Sequence, residues 1–267
     1  MPFEHSNKRI AAEVALLLGV PVLLVAGGWA AFGAVVDLAV HSVPAEAERA
    51  LGDGMAKVVR EMGKPCDAPE VEAMARKLAA EAGMDAEHLE VEVLDDETVN
   101  AFALPGGHVF VFTGLLKKSQ SPDEVAGVLA HELGHVVLRH HLRSALRSMG
   151  VGAVASAVFG DGSGLVAMLA AGSSQLVSLA FSREQEEEAD AFAVTLAEKA
   201  GFDPLAVGKL LERMEAPGAP PSLLRTHPSG PDRLRKLEKL AAKHPWTPRL
   251  DVTLEALRGA CAGSGDQ

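Results

Sequence analysis

The 267-residue sequence contains no tyrosine and only two cysteines, Cys66 and Cys261. Without tyrosine, no phenol is available to donate to an oxyanion or to act as an acid or base. Two cysteines cannot build a disulfide-dense scaffold or a four-cysteine zinc site. Basic side chains are also short: 25 against 36 acidic, a net charge of −11. That balance excludes the positive footprint a nucleic-acid binder needs. The apolar share of 48% and charged share of 23% exclude disorder. The length suffices for one large domain or two small ones, each with a core.

One long apolar run is present. From Val14 to Val36 no residue is charged. At about 1.5 Å per residue such a helix reaches roughly 34 Å, enough to cross a hydrocarbon core. Lys8 and Arg9 precede it, and Asp37, Glu46 and Glu48 follow. Positive charge stays inside, so the N-terminus is expected in the cytoplasm and the remainder outside. A cleaved signal peptide is the alternative, with Ala30 and Ala34 available for a cleavage site. Its apolar core would ordinarily run only about 7–15 residues. Cys66, the first cysteine, lies too far on for a lipoprotein.

Beyond the run, residues 44–62 and 69–83 read as amphipathic helices divided by Gly63-Lys64-Pro65. Glu90 to Leu94 alternates as a strand, and so does His108 to Phe112, with His108, Phe110 and Phe112 on one face. Pro105-Gly106-Gly107 signals a turn between them. On an alternating strand His108 reads as structural. After Thr113 the pattern is helical almost to the end, and Asp203-Pro204 signals a late helix start. Residues 149–181 are nearly all apolar. Their two runs, Met149–Phe159 and Leu165–Phe181, are too short or too weak to span, and read as two helices covering a cleft.

The chemistry gathers on one helix. Ser121-Pro122-Asp123-Glu124 is a cap, a proline and two first-turn acids. The helix that follows carries His131-Glu132-Leu133-Gly134-His135. Histidines at i and i+4 point the same way, so both can bind one zinc ion. Glu132 then lies beside the open metal position, where it can take a proton from zinc-bound water. A third ligand is required. His141 stands ten residues after His131, but Leu138 occupies the position where a returning chain would need glycine. A continuing helix carries His141 roughly 9 Å beyond His135. His140 and His141 therefore read as exposed or supporting residues. The acidic stretch Ser182 to Asp190 offers Glu186 as ligand, with Asp190 one turn on to accept the N–H of a ligating histidine. Spacing alone does not separate Glu186 from Glu184, Glu187 and Glu188.

These segments together resemble peptidase family M48, the zinc metalloproteases of the Ste24, HtpX and Oma1 type, and most closely its bacterial periplasmic subgroup. The shared motifs are His131-Glu132-x-x-His135 and Arg183-x-x-Glu186-x-x-Ala189-Asp190. To these add Asn100 through Gly107, Thr113-Gly114-Leu115-Leu116, Gly201-Phe202-Asp203-Pro204, and Thr226-His227-Pro228 with Arg233. The resemblance covers roughly residues 70–240. It implies one Zn2+ per chain on His131, His135 and Glu186, with Asp190 behind them. It implies catalytic roles for Glu132 and His227, the latter replacing the missing tyrosine at the oxyanion. Arg233 would assist there or hold the local structure. Asn100, Ala101, Phe102 and Ala103 would form an edge strand that pairs with extended peptide.

The expected fold is α+β and mostly helical. A zincin-like domain with a small sheet and an active-site helix follows one transmembrane helix. The expected organisation is a cytoplasmic tip and anchor over 1–43, the peptidase domain over 44–262 and a disordered tail over 263–267. The expected function is hydrolysis of unfolded or damaged envelope proteins by a single-pass inner-membrane enzyme, anchored through 14–36, with its domain on the periplasmic side. A non-proteolytic metal-binding or chaperone-like module is the alternative, against which an intact Glu132 speaks. A zinc hydrolase of a non-peptide amide is disfavoured by the edge-strand segment. An even cysteine pair outside the membrane predicts a Cys66–Cys261 disulfide.

Overall fold

The computed structural model describes residues 3–150, 152, 181–214, 223, 227, 232–242, 246–248 and 252–261. The helices expected within 149–181 and the tail at 263–267 lie outside the described residues, apart from the edges of the former.

Helix α1, Phe3–Ser42, contains the apolar run, with Pro21 inside it. Its segment Ala12–Ser42 holds an 18-residue window with a mean hydropathy of 2.2 and is long and apolar enough to cross a membrane. Leu16, Leu17, Leu23, Leu24 and Trp29 stand exposed along it. Among its described side chains, the fully covered ones lie in its last turns. Val36, Ala39 and Val40, with Val43 just beyond, pack against Leu51, Met55 and Val59 of α2 (Ala45–Arg60).

The sheet has four strands in the order β1-β2-β4-β3: Lys64–Cys66, Glu90–Asp95, His108–Phe112 and Ala101–Leu104 respectively. The pair β2–β4 is parallel and the two outer pairs are antiparallel. Strand β1 falls where the sequence suggested only a divider between helices. Three residues with a central proline carry no alternation to read, and a proline is tolerated there because the strand is an edge. In β4 the expected face holds: Phe110 and Phe112 join the cluster around the end of α1, while Val109 and Val111 face the main core. Helices cover both faces, so all five residues are buried.

The main core is built around α5, Pro122–Val137. The Ser121 hydroxyl accepts the Glu124 N–H at 3.3 Å, as the cap pattern predicts. Around α5 lie α3 (Pro69–Glu81), α7 (Arg183–Ala200) and α8 (Ala206–Met214), and the short α4 (Thr113–Lys118) adds Leu115 and Leu116 to the same core. Helix α8 begins two residues after Pro204, with Asp203 Oδ1 accepting the Leu205 N–H at 2.9 Å. A capping box of Ser182 and Gln185 starts α7. At the α5–α7 crossing a Cβ on Gly134 would sit 3.3 Å from the Ala189 Cα and 3.2 Å from the Phe192 ring. That glycine lets the two helices approach closely enough to share one site.

Helix α5 does not continue as expected. It ends at Val137, and Arg139 takes a left-handed conformation with φ 54°. A new helix, α6 (His140–Met149), then leaves in another direction. The C-terminal helices α9 (Arg233–Ala241) and α10 (Leu254–Arg258) close the core.

Candidate metal centre

His131 and His135 lie one turn apart on α5, and their Nε2 atoms face each other at 3.1 Å. Helix α7 brings the Glu186 carboxylate to 3.4 Å from His131 Nε2 and 3.6 Å from His135 Nε2. His227 adds its Nδ1, 3.3 Å from His131 Nε2 and 3.1 Å from Glu186 Oε1. One donor atom from each of the four lies within 4.8 Å of the others, and all four residues are buried. Four ligands at zinc–nitrogen distances of about 2.0–2.1 Å define a tetrahedron with edges of about 3.3–3.4 Å. The separations here scatter around that value. Glu186 Oε2 is buried among charged contacts, His131 Nε2 at 3.4 Å and Arg233 at 3.1 Å, neither of them in hydrogen-bond geometry. Such a set of imidazoles and one carboxylate fits a zinc ion.

The outer ring nitrogens show which lone pairs point inward. His131 Nδ1 lies 3.0 Å from Asp190 Oδ1, and an ionised carboxylate only accepts, so Nδ1 carries the proton and Nε2 is a free lone pair. Arg233 grips Asp190 with two bonds of 2.8 Å and reaches Glu186 Oε2 at 3.1 Å. Of the two roles expected for Arg233, this geometry favours holding structure over assisting at the oxyanion. Asp190 is buried, which would raise its carboxyl, but His131 and Arg233 outweigh that and lower it.

Glu132 is fully buried. Its Oε2 accepts the Ala103 N–H at 3.0 Å and its Oε1 lies 3.1 Å from His227 Nε2. Burial would raise the Glu132 carboxyl, yet His227, His131 and the Ala103 bond lower it. Burial would likewise lower His227, but the carboxylates of Glu132 and Glu186 push it up to about 10. A bound cation would reverse that balance, because its charge replaces the proton.

The segment expected as an edge strand is one. The Asn100 carbonyl accepts the Phe112 N–H at 3.0 Å, and Phe102 stands opposite Phe110. Antiparallel alternation therefore turns the N–H and C=O of Ala101 and Ala103 away from β4, toward the side of β3 that carries no further strand. The Ala103 N–H on that edge is the one bonded to Glu132.

Several partners were not legible. His140, expected to be exposed or supporting, is fully buried, with Nδ1 3.0 Å from His135 Nδ1 and Nε2 2.9 Å from Glu188 Oε2. Phe181 stacks on the His135 ring with centroids 3.8 Å apart. No sequence spacing signals either contact. His141 is outside the donor group, its ring 6.2 Å from that of His135, and burial lowers it to about 4. His108 is structural, between Asp53 at 2.9 Å and Glu90 at 3.2 Å. Cys66 and Cys261 are joined as a disulfide, their Cα atoms 4.7 Å apart. Thr226 and Pro228 lie outside the described residues.

A paired-histidine helix, a glutamate beside it, a carboxylate from a second helix and a sheet edge alongside define a metallopeptidase-type centre. The sequence profile of peptidase family M48 matches residues 65–241. The mitochondrial metalloendopeptidase OMA1 of Schizosaccharomyces pombe is 37% identical over 191 residues, covering 69% of this chain and 54% of that protein. A putative beta-barrel assembly-enhancing protease of Vibrio cholerae is 35% identical over 184 residues, 62% of this chain and 38% of that protein. The beta-barrel assembly-enhancing protease of Escherichia coli is 32% identical over 157 residues, 53% and 32% respectively. The chain belongs to peptidase family M48. It spans between about a third and a half of the length of these relatives.

Proposed function

We propose that this chain is a membrane-anchored zinc endopeptidase acting on extended segments of unfolded or damaged envelope proteins. The observation that carries this is the convergence of His131, His135 and Glu186 beside Glu132, whose carboxylate is bonded to the outward edge of β3. A zinc ion in that set supplies a Lewis acid that acidifies water and polarises a carbonyl. The extended peptide pairs with the outward edge of β3 at Ala101 and, once Glu132 turns from the Ala103 N–H to the attacking water, at Ala103, with affinity from the backbone and little demand on sequence. Glu132 takes the proton from the attacking water and passes it to the leaving amine. His227 stands where a fourth ligand would sit, so turnover requires it to withdraw from the donor set. Its ring is then placed to donate to the developing oxyanion. Asp190 and Arg233 hold His131 and Glu186 throughout. Residues 14–36 anchor the chain in an inner membrane, with the domain on the periplasmic side.

Digestion of casein by purified full-length protein, with and without chelator, tests the reading. The expected result is chelator-sensitive cleavage that is lost in Glu132→Gln while the zinc is retained. Activity of that variant within about tenfold of wild type, a barrier change of roughly 1.4 kcal/mol or less, removes Glu132 as the base. Stoichiometric zinc with no cleavage of any unfolded protein favours the non-proteolytic module.

A further inference from the structure

We infer that His140 is a positioning residue for the metal ligand His135, held in its working tautomer by Glu188. The inference rests on the zinc-centre reading above and extends it to residues outside the ligand set. Glu188 ionised only accepts, so the 2.9 Å contact makes His140 Nε2 the donor. A neutral His140 then has its lone pair on Nδ1, 3.0 Å from His135 Nδ1. His135 must donate across that contact, which leaves its Nε2 lone pair directed at His131 Nε2 and Glu186. The two histidine ligands are thus held by different means. His131 sets its outer nitrogen 3.0 Å from a carboxylate, and His135 gives its own N–H to a histidine backed by a carboxylate.

The backbone exists in the form this relay needs. On an unbroken helix, His140 would lie five residues beyond His135, about 140° round the axis at about 100° per residue. The left-handed Arg139 brings it back onto His135. The Gln185 side-chain amide fixes the His140 carbonyl at 3.1 Å, so the backbone is held independently of the imidazole. Beyond Glu188 the chain of charges continues. Arg143 lies 3.2 Å from Glu188 and 3.0 Å from Asp37 at the end of α1.

The test uses full-length protein in detergent and reads metal affinity by competition with a chromophoric chelator, and the visible spectrum of the cobalt-loaded protein. Outer partners of ligating histidines are worth about 10–100-fold in metal affinity. His140→Ala and His140→Phe should each lose zinc affinity by about that factor and shift the cobalt spectrum. His140→Asn, which keeps an acceptor near the Nδ1 position, should recover most of both. Glu188→Gln should shift them in the same direction by less. Wild-type affinity and spectrum in His140→Ala overturn the inference while leaving the zinc centre standing. Recovery by His140→Phe as complete as by His140→Asn makes the role one of packing and also overturns it. A wild-type chain that takes up no zinc overturns the zinc-centre reading, and this inference falls with it.

Discussion

Glu186 holds four partners in this site: His131, His135, His227 and Arg233 all lie within 3.6 Å of its carboxylate. Burial would raise its carboxyl, but the bonds from His131 and His227 drive it far below the usual range. Glu186→Gln keeps the shape and removes the charge, so zinc content after dialysis should fall sharply. His141→Ala should leave zinc content unchanged, because that ring is not among the donors. Metal analysis of the two variants checks the assignment, and the opposite pattern would transfer the third ligand to His141. The histidine pair was legible because helical spacing puts i and i+4 on one face, and Glu132 because it stands one step round from His131. Glu186 was not separable from its acidic neighbours, since which face of α7 is buried depends on the Gly134–Ala189 crossing. Glu188 was less legible still. It reads as a solvated acid until the turn at Arg139 delivers His140 to it.

At the scale of elements, the break between α5 and α6 does more than redirect His140. Arg139 donates to the Val40 carbonyl at 2.8 Å, the Val43 carbonyl at 2.9 Å and Glu48 at 2.8 Å. Arg139, two residues past the end of α5, therefore satisfies carbonyls at and just beyond the end of α1, where a helix terminus otherwise leaves such groups orphaned. Arg139→Gly should relieve the positive φ and still destabilise the protein. The relief is about 1 kcal/mol, whereas each lost charged hydrogen bond costs about 1.5–3 kcal/mol. Thermal unfolding in detergent would show the sign. Ser121→Ala should cost about 1 kcal/mol through the lost cap at the other end of α5. That cap was plain in the sequence, as were the two alternating strands. The break was not, because arginine rarely adopts φ near 54° and nothing local calls for it.

The whole molecule is closed by a link between residues 195 positions apart. Cys66 on β1 is bonded to Cys261 just after α10, and Arg258 of α10 donates to the Leu116, Lys117 and Ser119 carbonyls near the start of α5. Chain entropy gives an upper figure of roughly 5 kcal/mol for so long a loop. Non-reducing mass spectrometry of protein taken from the envelope should find no alkylatable thiol, and reduction should lower the melting temperature. Two free thiols would oppose both the bridge and the periplasmic placement of the domain. The pairing was readable only as arithmetic, an even count in an oxidising compartment, since spacing says nothing about which residues meet. The anchor lends itself to an optical test. With no tyrosine, the chain has two indole emitters, Trp29 exposed on α1 and Trp246 beyond α9. Trp246→Phe leaves Trp29 alone, about 6 Å from the midpoint of the 14–36 run at about 1.5 Å per residue. Acyl chains brominated near the bilayer centre should quench its emission strongly, and emission indifferent to them would remove the anchor. The protease domain would then be dark at those wavelengths, so the full-length chain reports its own depth in the bilayer without an attached dye.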